Sequence, residues 1–120
     1  MTDQTRVRFE HSTPIFRVED MARSLAFYTG ALSFENAEWG GDEFTCISRD
    51  GASLYLSLGD QGRGGAWAWI GVEDARRLRG ELHAQGVPKL SELSNFPWAL
   101  EFHVEDPDAN VIRFGSEPEA

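Results

Sequence analysis

The sequence predicts an α+β fold built from two β-α-β-β-β modules, because one pattern of elements occurs twice in 120 residues. Segments 16–20 (Phe-Arg-Val-Glu-Asp) and 70–74 (Ile-Gly-Val-Glu-Asp) each join the end of an apolar strand to an aspartate that can cap a helix. Each predicted helix is followed by a loop and then a strand, a turn and a strand. The turns contain Asp-Gly in the first half and Asp-Pro-Asp in the second.

Apolar spacing supports a helix after each cap. In the first half Met21, Leu25, Tyr28 and Leu32 recur at helical spacing. The second helix has Ala75, Leu78 and Leu82 at the same spacing, and Gly86 is suited to end it. Further strands are expected at 44–48, 53–58, 98–104 and 111–114, with the second strand of each half within 35–41 and 87–94.

These elements predict a single domain, 1–120, with internal repeats 11–60 and 65–115 joined by 61–64. Neither half can bury its helix and sheet alone. We therefore expect two curved mixed sheets that combine around a concave cavity. Only the ends, 1–6 and 117–120, are expected to be loosely ordered.

Composition limits the classes of partner. The formal net charge of -9 disfavours nucleic acid and favours a cationic small molecule, although an acidic surface also serves solubility. The N-terminus lacks the apolar run of a signal peptide, and no apolar stretch is long enough to span a bilayer. Cys46 is the only cysteine, so no internal disulfide can form. We expect a cytoplasmic protein with no membrane partner.

Two motifs carry a family resemblance. Val-Glu-Asp-Met-Ala-Arg-Ser-Leu-Ala-Phe-Tyr at 18–28 resembles the first-helix signature of the vicinal-oxygen-chelate superfamily, and Asp-Pro-Asp-Ala-Asn-Val-Ile at 106–112 resembles its DP-x-G-N-x-I turn. The resemblance covers about 13–114 and implies the glyoxalase/bleomycin resistance/dihydroxybiphenyl dioxygenase fold. Ser33 and Ala109 stand where this family usually has glycine, which concerns local turn geometry.

Alternation along the strands predicts which side chains line the concave side. Trp67 and Trp69 share one face of their strand, while Ala68 and Ile70 share the other. The purely apolar sets should pack beneath the helices, and the mixed sets should face the cavity. The predicted concave set is Thr13, Ile15, Tyr55, Ser57, Trp67, Trp69, Val111 and Arg113.

The resemblance also implies where enzymes of this superfamily hold a metal ion. Those positions fall here on Thr13, Trp67 and Arg113, with the fourth near Tyr55 or Ser57, and none of these is a good ligand. We therefore expect no metal and no other cofactor. A displaced site that uses His11, Glu101 and His103 is the alternative, against the more ordinary role of surface or hydrogen-bonded histidines.

No catalytic residue is predicted. Cys46 lies within a strand and is more typical of a small packed side chain than of a nucleophile. The glycines at 62–65 lack the lysine and helix of a phosphate loop, and no G-x-S-x-G elbow is present. His83 lies on the polar side of the second helix.

Two further strings resemble the bleomycin resistance branch of the superfamily: Gly-Ala-Trp-Ala-Trp-Ile at 65–70 and Phe-Pro-Trp-Ala-Leu-Glu-Phe at 96–102. Pro14 stands where that branch has a proline in its first strand. In the family this proline marks an N-terminal arm that exchanges between two subunits. The resemblance therefore implies a homodimer with cavities at its interface.

The function predicted from these features is metal-independent sequestration of a flat, cationic bleomycin-type glycopeptide antibiotic. Indole rings offer stacking surfaces, and acidic groups such as Asp42, Glu43 and Asp60 can attract the cation. Arg17 and Arg113 oppose this charge, and they either pair with Glu35 or Glu101 or bind a carboxylate on the ligand. A carrier or sensor of another aromatic metabolite and a metalloenzyme of lyase or dioxygenase type remain alternatives. The predicted ligand-binding residues are Trp39, Phe44, Tyr55, Ser57, Trp67, Trp69, Trp98 and Arg113.

Overall fold

The protein, seen in a computed structural model, is described from residue 6 to residue 120; the expectation for residues 1–5 lies outside the described part. The strands are β1 (Ile15–Arg17), β2 (Glu35–Asn36), β3 (Phe44–Arg49), β4 (Ala52–Ser57), β5 (Trp67–Gly71), β6 (Ser94–Asn95), β7 (Leu100–Glu105) and β8 (Val111–Ser116). The helices are α1 (Met21–Leu25), which continues as a π-helical segment (Ala26–Ala31), and α2 (Ala75–Ala84).

Each half of the chain forms its own four-stranded mixed sheet. The strand order is β1-β4-β3-β2 in the first sheet and β5-β8-β7-β6 in the second. In both sheets the first strand of the half pairs in parallel with the last, and the other neighbours are antiparallel. The predicted α+β fold class is confirmed. The second strands of the two halves, β2 and β6, are only two residues long, and each lies at a sheet edge. The strand β6 begins at Ser94, the last residue of the range predicted for it.

The first helix differs from the regular helix that the apolar spacing predicts. Asp20 caps it as expected, accepting a hydrogen bond from the Arg23 N–H at 3.0 Å. After Leu25 the chain widens into the π-helical segment, where the Leu32 N–H bonds to the Phe27 carbonyl five residues earlier. Ser33 then adopts a left-handed backbone with φ of 57°. An apolar pattern with a period of 3.6 residues does not reveal this one-residue widening of the helix.

The second helix follows its sequence signals. The Asp74 side chain accepts from the Arg77 N–H at 3.0 Å, and Ala75, Leu78 and Leu82 are buried. Gly86 has φ of +78° just past the helix, so the prediction that it ends α2 is confirmed. His83 is exposed, as its position on the polar side predicts.

One apolar core lies between the helices and the sheets. Its largest fully buried side chains are Phe16, Tyr28, Leu32, Ile47, Leu54, Leu56, Phe102 and Ile112. The faces turned away from the helices, here called the open faces, carry the alternate residues of the same strands. The core therefore determines which side chains those open faces present.

A buried aspartate joins the second half to the first. Asp106 Oδ2 accepts from the Tyr28 hydroxyl at 2.8 Å and from Asn110 Nδ2 at 3.0 Å. Asp106 Oδ1 accepts the N–H groups of Asp108 and Asn110 at 2.8 and 2.9 Å. Burial, followed by the charge of Asp106, raises the pKa of Tyr28 above its ordinary value, so the hydroxyl keeps its proton and donates. Ala109 completes the turn in the left-handed region, with φ of 64°.

Asn110 and Asp108 extend this link. Asn110 Nδ2 also donates to the Arg17 carbonyl in β1 at 3.0 Å, and its Oδ1 accepts from the Ala66 N–H at 3.1 Å. Asp108 accepts from Arg23 Nη2 at 2.9 Å. The turn between β7 and β8 is thus bonded to the first strand, the first helix and the approach to β5.

The chain is open in shape. Its radius of gyration is 15.8 Å, whereas a compact chain of this length has about 13.5 Å. The arm before β1 contributes to this difference, because Phe9 is 95% exposed and Val7 and Pro14 are exposed as well. Among the described residues, no helix has the length and apolar character needed to cross a membrane.

Loss of the Asp106 carboxylate should destabilise the protein strongly. We expect Asp106→Ala to lower the free energy of unfolding by about 3 kcal/mol, because buried donors of Tyr28 and Asn110 lose their acceptor. Tyr28→Phe removes one donor and leaves the other bonds of Asp106 in place, so about 1 kcal/mol is expected. Urea denaturation measures both. Equal losses for the two variants would contradict this account.

Candidate ligand-binding site

The four tryptophans are surface residues rather than core residues. Trp39, Trp67, Trp69 and Trp98 are between 55% and 63% exposed. In β5 the buried Ala68 separates Trp67 from Trp69, so both indoles lie on the open face, as the alternation predicts. Exposed indoles in this number are unusual for a surface, because tryptophan is one of the side chains that gains most from burial.

The first sheet carries one aromatic cluster on its open face, formed by Trp39, Phe44 and Tyr55. Phe44 of β3 and Tyr55 of β4 have ring centroids 5.0 Å apart. Trp39 stacks on Phe44 at 6.3 Å and meets Tyr55 edge-on at 6.5 Å. This first aromatic cluster contains three of the predicted ligand-binding residues.

An acidic cleft adjoins the first aromatic cluster. It has a volume of about 510 Å³, and its lining residues are Glu43, Phe44, Ser57, Leu58, Gly59, Asp60 and Gln61. Glu43 and Asp60 were predicted as cation attractors. Ser57, expected to face the cavity, is nearly buried, and its hydroxyl accepts a hydrogen bond from the Gly59 N–H at 3.2 Å. Its hydroxyl therefore holds the loop that shapes this cleft.

The second sheet holds the Trp69 indole flat against its backbone. A Cβ atom at Gly115 would lie 2.6 Å from Cζ2 of Trp69, and one at Gly71 would lie 3.1 Å from Cζ3. A side chain at position 115 would collide with the ring as it lies, and one at position 71 would crowd it. The Trp69 Nε1–H donates to Glu101 Oε2 at 3.0 Å, so the ring is fixed in both tilt and rotation.

Glu101 is the buried partner of two predicted ligand-binding residues. It is 2% exposed, and its Oε1 accepts from Arg113 Nε at 2.6 Å. Burial raises the pKa of Glu101, but the hydrogen bonds from Trp69 and Arg113, with the charge of Arg113, outweigh this and hold it below its ordinary value. The sequence predicted that Arg113 pairs with Glu101 or binds a ligand. Arg17, in contrast, donates to the Gly59 carbonyl at 3.2 Å and not to Glu35.

Two further ring contacts lie on the second half. Trp67 meets the His103 imidazole edge-on, with centroids 5.1 Å apart. Trp98 stacks on Phe96 at 4.7 Å with an interplanar angle of 3°. Phe96 is not among the predicted site residues, although it lies in the Phe-Pro-Trp string that resembles the bleomycin resistance branch.

The structure does not bring the two halves of the predicted site together within one chain. Every ring contact found among residues 6–120 stays within one half. A cleft of about 1000 Å³ lies between the β3–β4 turn and α2, and Trp69 is the sole predicted ligand-binding residue in its lining. Thr13 and Ile15 lie at the edge of the first sheet, while Val111 is buried beneath the second open face.

The residues present do not fit a metal ion. The positions that the resemblance assigns to metal ligands hold Thr13, Trp67 and Arg113, with Tyr55 or Ser57 as the fourth. Of the alternative set, His11 lies in the exposed arm, and both carboxylate oxygens of Glu101 already accept hydrogen bonds. Within the described part of the chain, no three His, Cys, Asp or Glu side chains are grouped to hold a metal ion.

Comparison with known protein families identifies the superfamily of this chain. Residues 8–114 match the Glyoxalase/Bleomycin resistance protein/Dioxygenase superfamily. The protein belongs to this superfamily. A comparison with curated protein sequences finds no match.

Solved structures of the same fold include both binding proteins and an enzyme. A bleomycin-binding protein from Streptomyces verticillus, complexed with copper(II)-bleomycin, superposes with a TM-score of 0.79 at 24% identity, covering 95% of this chain and 100% of that one. TnmS3, an antibiotic binding protein from Streptomyces sp. CB03234, gives 0.78 at 23%, with 95% and 100% covered. A lactoylglutathione lyase from Agrobacterium tumefaciens gives 0.73 at 13%, with 88% and 92% covered. These likenesses establish the fold.

Replacing Glu101 should reduce stability in a pH-dependent way. We expect Glu101→Gln to lower the free energy of unfolding by about 2 kcal/mol at pH 7, because Trp69 and Arg113 lose a charged acceptor. Since folding lowers the pKa of Glu101, its contribution is complete above the ordinary value of 4.5 and is lost as pH falls through the folded value. The difference between wild type and variant should therefore shrink below about pH 4.5.

Denaturant unfolding at a series of pH values from 7 to 3 measures that difference. Glu38→Gln is the matched control, because Glu38 is exposed and makes no hydrogen bond with the described residues. It should change the free energy of unfolding by less than about 0.5 kcal/mol. If the loss of stability caused by Glu101→Gln grew as the pH fell, the predicted role of the Glu101 charge would be contradicted.

Proposed function

We propose that this protein binds a flat, cationic antibiotic of the bleomycin type without a metal ion and confers resistance by sequestering it. The observation that carries the proposal is the set of four exposed indoles: two lie side by side on the open face of β5, and the other two stack on Phe44 and Phe96. A folded chain gains nothing from leaving so much aromatic surface in water. A ligand that covers it explains the arrangement.

Stacking supplies the affinity in this proposal. One well-placed aromatic contact contributes about 1 kcal/mol beyond the area that it buries. Trp69 is held rigidly by Gly71, Gly115 and Glu101, so a ligand ring meets a surface that needs no ordering on binding. Trp67 lies beside it on the same strand.

Charge supplies attraction and orientation. The net charge of -9 draws a cation to the surface, and Glu43 and Asp60 concentrate negative charge in the cleft next to Phe44. We place the cationic part of the ligand there, with its flat part on the aromatic rings. Cytoplasmic localisation fits this role, with Cys46 kept as a reduced thiol.

We propose that the binding protein is a homodimer in which the open face of the first sheet lies opposite the open face of the partner's second sheet. The separation of the two aromatic groups within one chain supports this, because only a second copy supplies the missing wall of each site. The exposed arm, with Val7 and Phe9 ahead of Pro14, supplies apolar side chains for an exchange between subunits.

A second candidate function is carriage or sensing of another aromatic metabolite. Arg113 favours it, since a guanidinium on the open face suits a ligand with an acidic or carbonyl group rather than a purely cationic one. Both candidates are binding functions, and no set of residues described here forms a nucleophile, a base and its orienting partner.

Fluorescence titration of chelator-treated protein with metal-free bleomycin tests the first candidate. We expect saturable quenching of tryptophan emission at one drug per chain, with the same affinity in the presence and absence of EDTA. Trp67→Ala should weaken binding about fivefold, the equivalent of one stacking contact. His83→Ala, on the exposed side of α2, should have no effect.

Absence of quenching by the drug would refute the antibiotic-binding function. Quenching that disappears in EDTA and returns with Zn²⁺ or Ni²⁺ would refute metal independence.

The dimer is tested by sedimentation. We expect the wild-type chain to sediment as a dimer and Phe9→Asp to shift it toward monomer, because a charge replaces an apolar arm contact. The same variant should lower drug affinity at least tenfold, since each site loses a wall. Glu10→Ala is the control in the same arm. A wild-type monomer that binds the drug at full affinity would contradict the proposed dimeric site.

A further inference from the structure

Arg113 keeps most of its hydrogen-bond donors uncommitted. Its Nε donates to Glu101 Oε1 at 2.6 Å, but neither Nη atom has an acceptor among residues 6–120. The side chain is 37% exposed and lies on the open face of the second sheet. Each Nη carries two N–H groups, so four donors in a planar fork are available to a ligand.

Glu101 and Glu105, the two carboxylates on this face of β7, each already have a hydrogen-bond partner. Glu101 Oε2 accepts from Trp69 Nε1 at 3.0 Å, and the Glu101 side chain is closed to solvent. Glu105, further along β7 on the same face, is paired with Lys89 at 2.7 Å. The Nη donors of Arg113 therefore have no recorded partner among residues 6–120 and are open to solvent or to a ligand.

A fixed stacking surface lies next to these donors. In the register of the second sheet Arg113 is directly between Trp69 of β5 and His103 of β7. The Trp69 ring is held by the glycine backbone beneath it and by Glu101. A flat ring stacked on Trp69 or Trp67 would therefore hold its substituents close to the Nη groups of Arg113.

We infer that Arg113 determines ligand specificity on this face by binding an oxygen acceptor, a carboxylate or a carbonyl, attached to the stacked aromatic ring. The inference rests on the proposed function and narrows its ligand class. A positive charge directly on the ring is disfavoured by the guanidinium. Any cationic group belongs to another part of the ligand, toward Glu43 and Asp60.

Three probes that share one ring system test this inference. They are 2-naphthoate, 2-naphthamide and 2-naphthylmethylammonium, titrated into ¹⁵N-labelled protein while the indole N–H signals are followed by NMR. We expect affinity to fall in that order, because a charge-assisted hydrogen bond to guanidinium is about twice as strong as a neutral one. Comparison of the naphthoate and naphthamide affinities shows whether Arg113 prefers a carboxylate or a carbonyl acceptor.

Arg113→Met should weaken naphthoate binding about tenfold or more and should leave the ammonium probe unchanged or improved. Because this variant leaves the Glu101 carboxylate without its cation, the double variant E101Q/R113M is made alongside it. The double variant removes both charges and retains an acceptor for the Trp69 indole. Arg63→Met is the matched control, since it makes the same charge change in the exposed loop between the halves.

Loss of the naphthoate preference in both Arg113 variants, and not in Arg63→Met, supports the inference. Equal binding of the three probes, or a preference that survives in the double variant, overturns it and leaves antibiotic binding intact. If no probe shifts an indole signal while bleomycin still binds, the inference fails alone. If neither the probes nor bleomycin binds, the inference and the proposed function fail together.

Discussion

The arrangement of the two halves depends on the hydrogen bonds that the Asp106 carboxylate accepts. This carboxylate lies in the turn between β7 and β8, yet it accepts a hydrogen bond from Tyr28 in the first half, and Asn110 in the same turn bonds to β1. The Tyr28–Asp106 bond is buried and the Asn110–Arg17 bond is partly buried, so these polar groups find their partners inside the protein. The position of β8, and with it Arg113 and Gly115 on its open face, follows from where this turn is anchored.

The second sheet, which the Asp106 turn positions, carries one part of the candidate site. Apolar residues of β5, β7 and β8 face the helices, and this leaves Trp69, Glu101 and Arg113 on the opposite side. Two glycines let the indole approach the backbone, and the buried carboxylate then holds both the ring and the guanidinium. The proposed ligand would therefore meet a surface that is already rigid, which reduces the entropy lost on binding. The first sheet contributes a separate cluster of rings beside an acidic cleft.

Much of the fold and part of the site can be predicted from sequence because their signals are local. Helix caps at Asp20 and Asp74, the glycine that ends α2 and the alternation of β5 depend on neighbours within a few residues. The π-helical segment escaped prediction because its apolar residues keep a helical spacing through the widening. Alternation predicts that Ser57 faces the cavity but gives no sign that its hydroxyl holds the loop at Gly59 beside the acidic cleft. Glu101 was considered as a metal ligand or ion-pair partner, but its hold on Trp69 was not foreseen.

The sequence by itself determined the repeated β-α-β-β-β order, the open-face position of the tryptophan pair and the lack of good metal ligands at the family's positions. These follow from residue type and periodicity, which are properties of short segments. The tertiary structure alone decided that Asp106 joins the two halves, that Glu101 fixes Trp69 and Arg113, and that the two aromatic groups lie apart in one chain. Each of these depends on residues that are distant in sequence and become neighbours only when the sheets are packed.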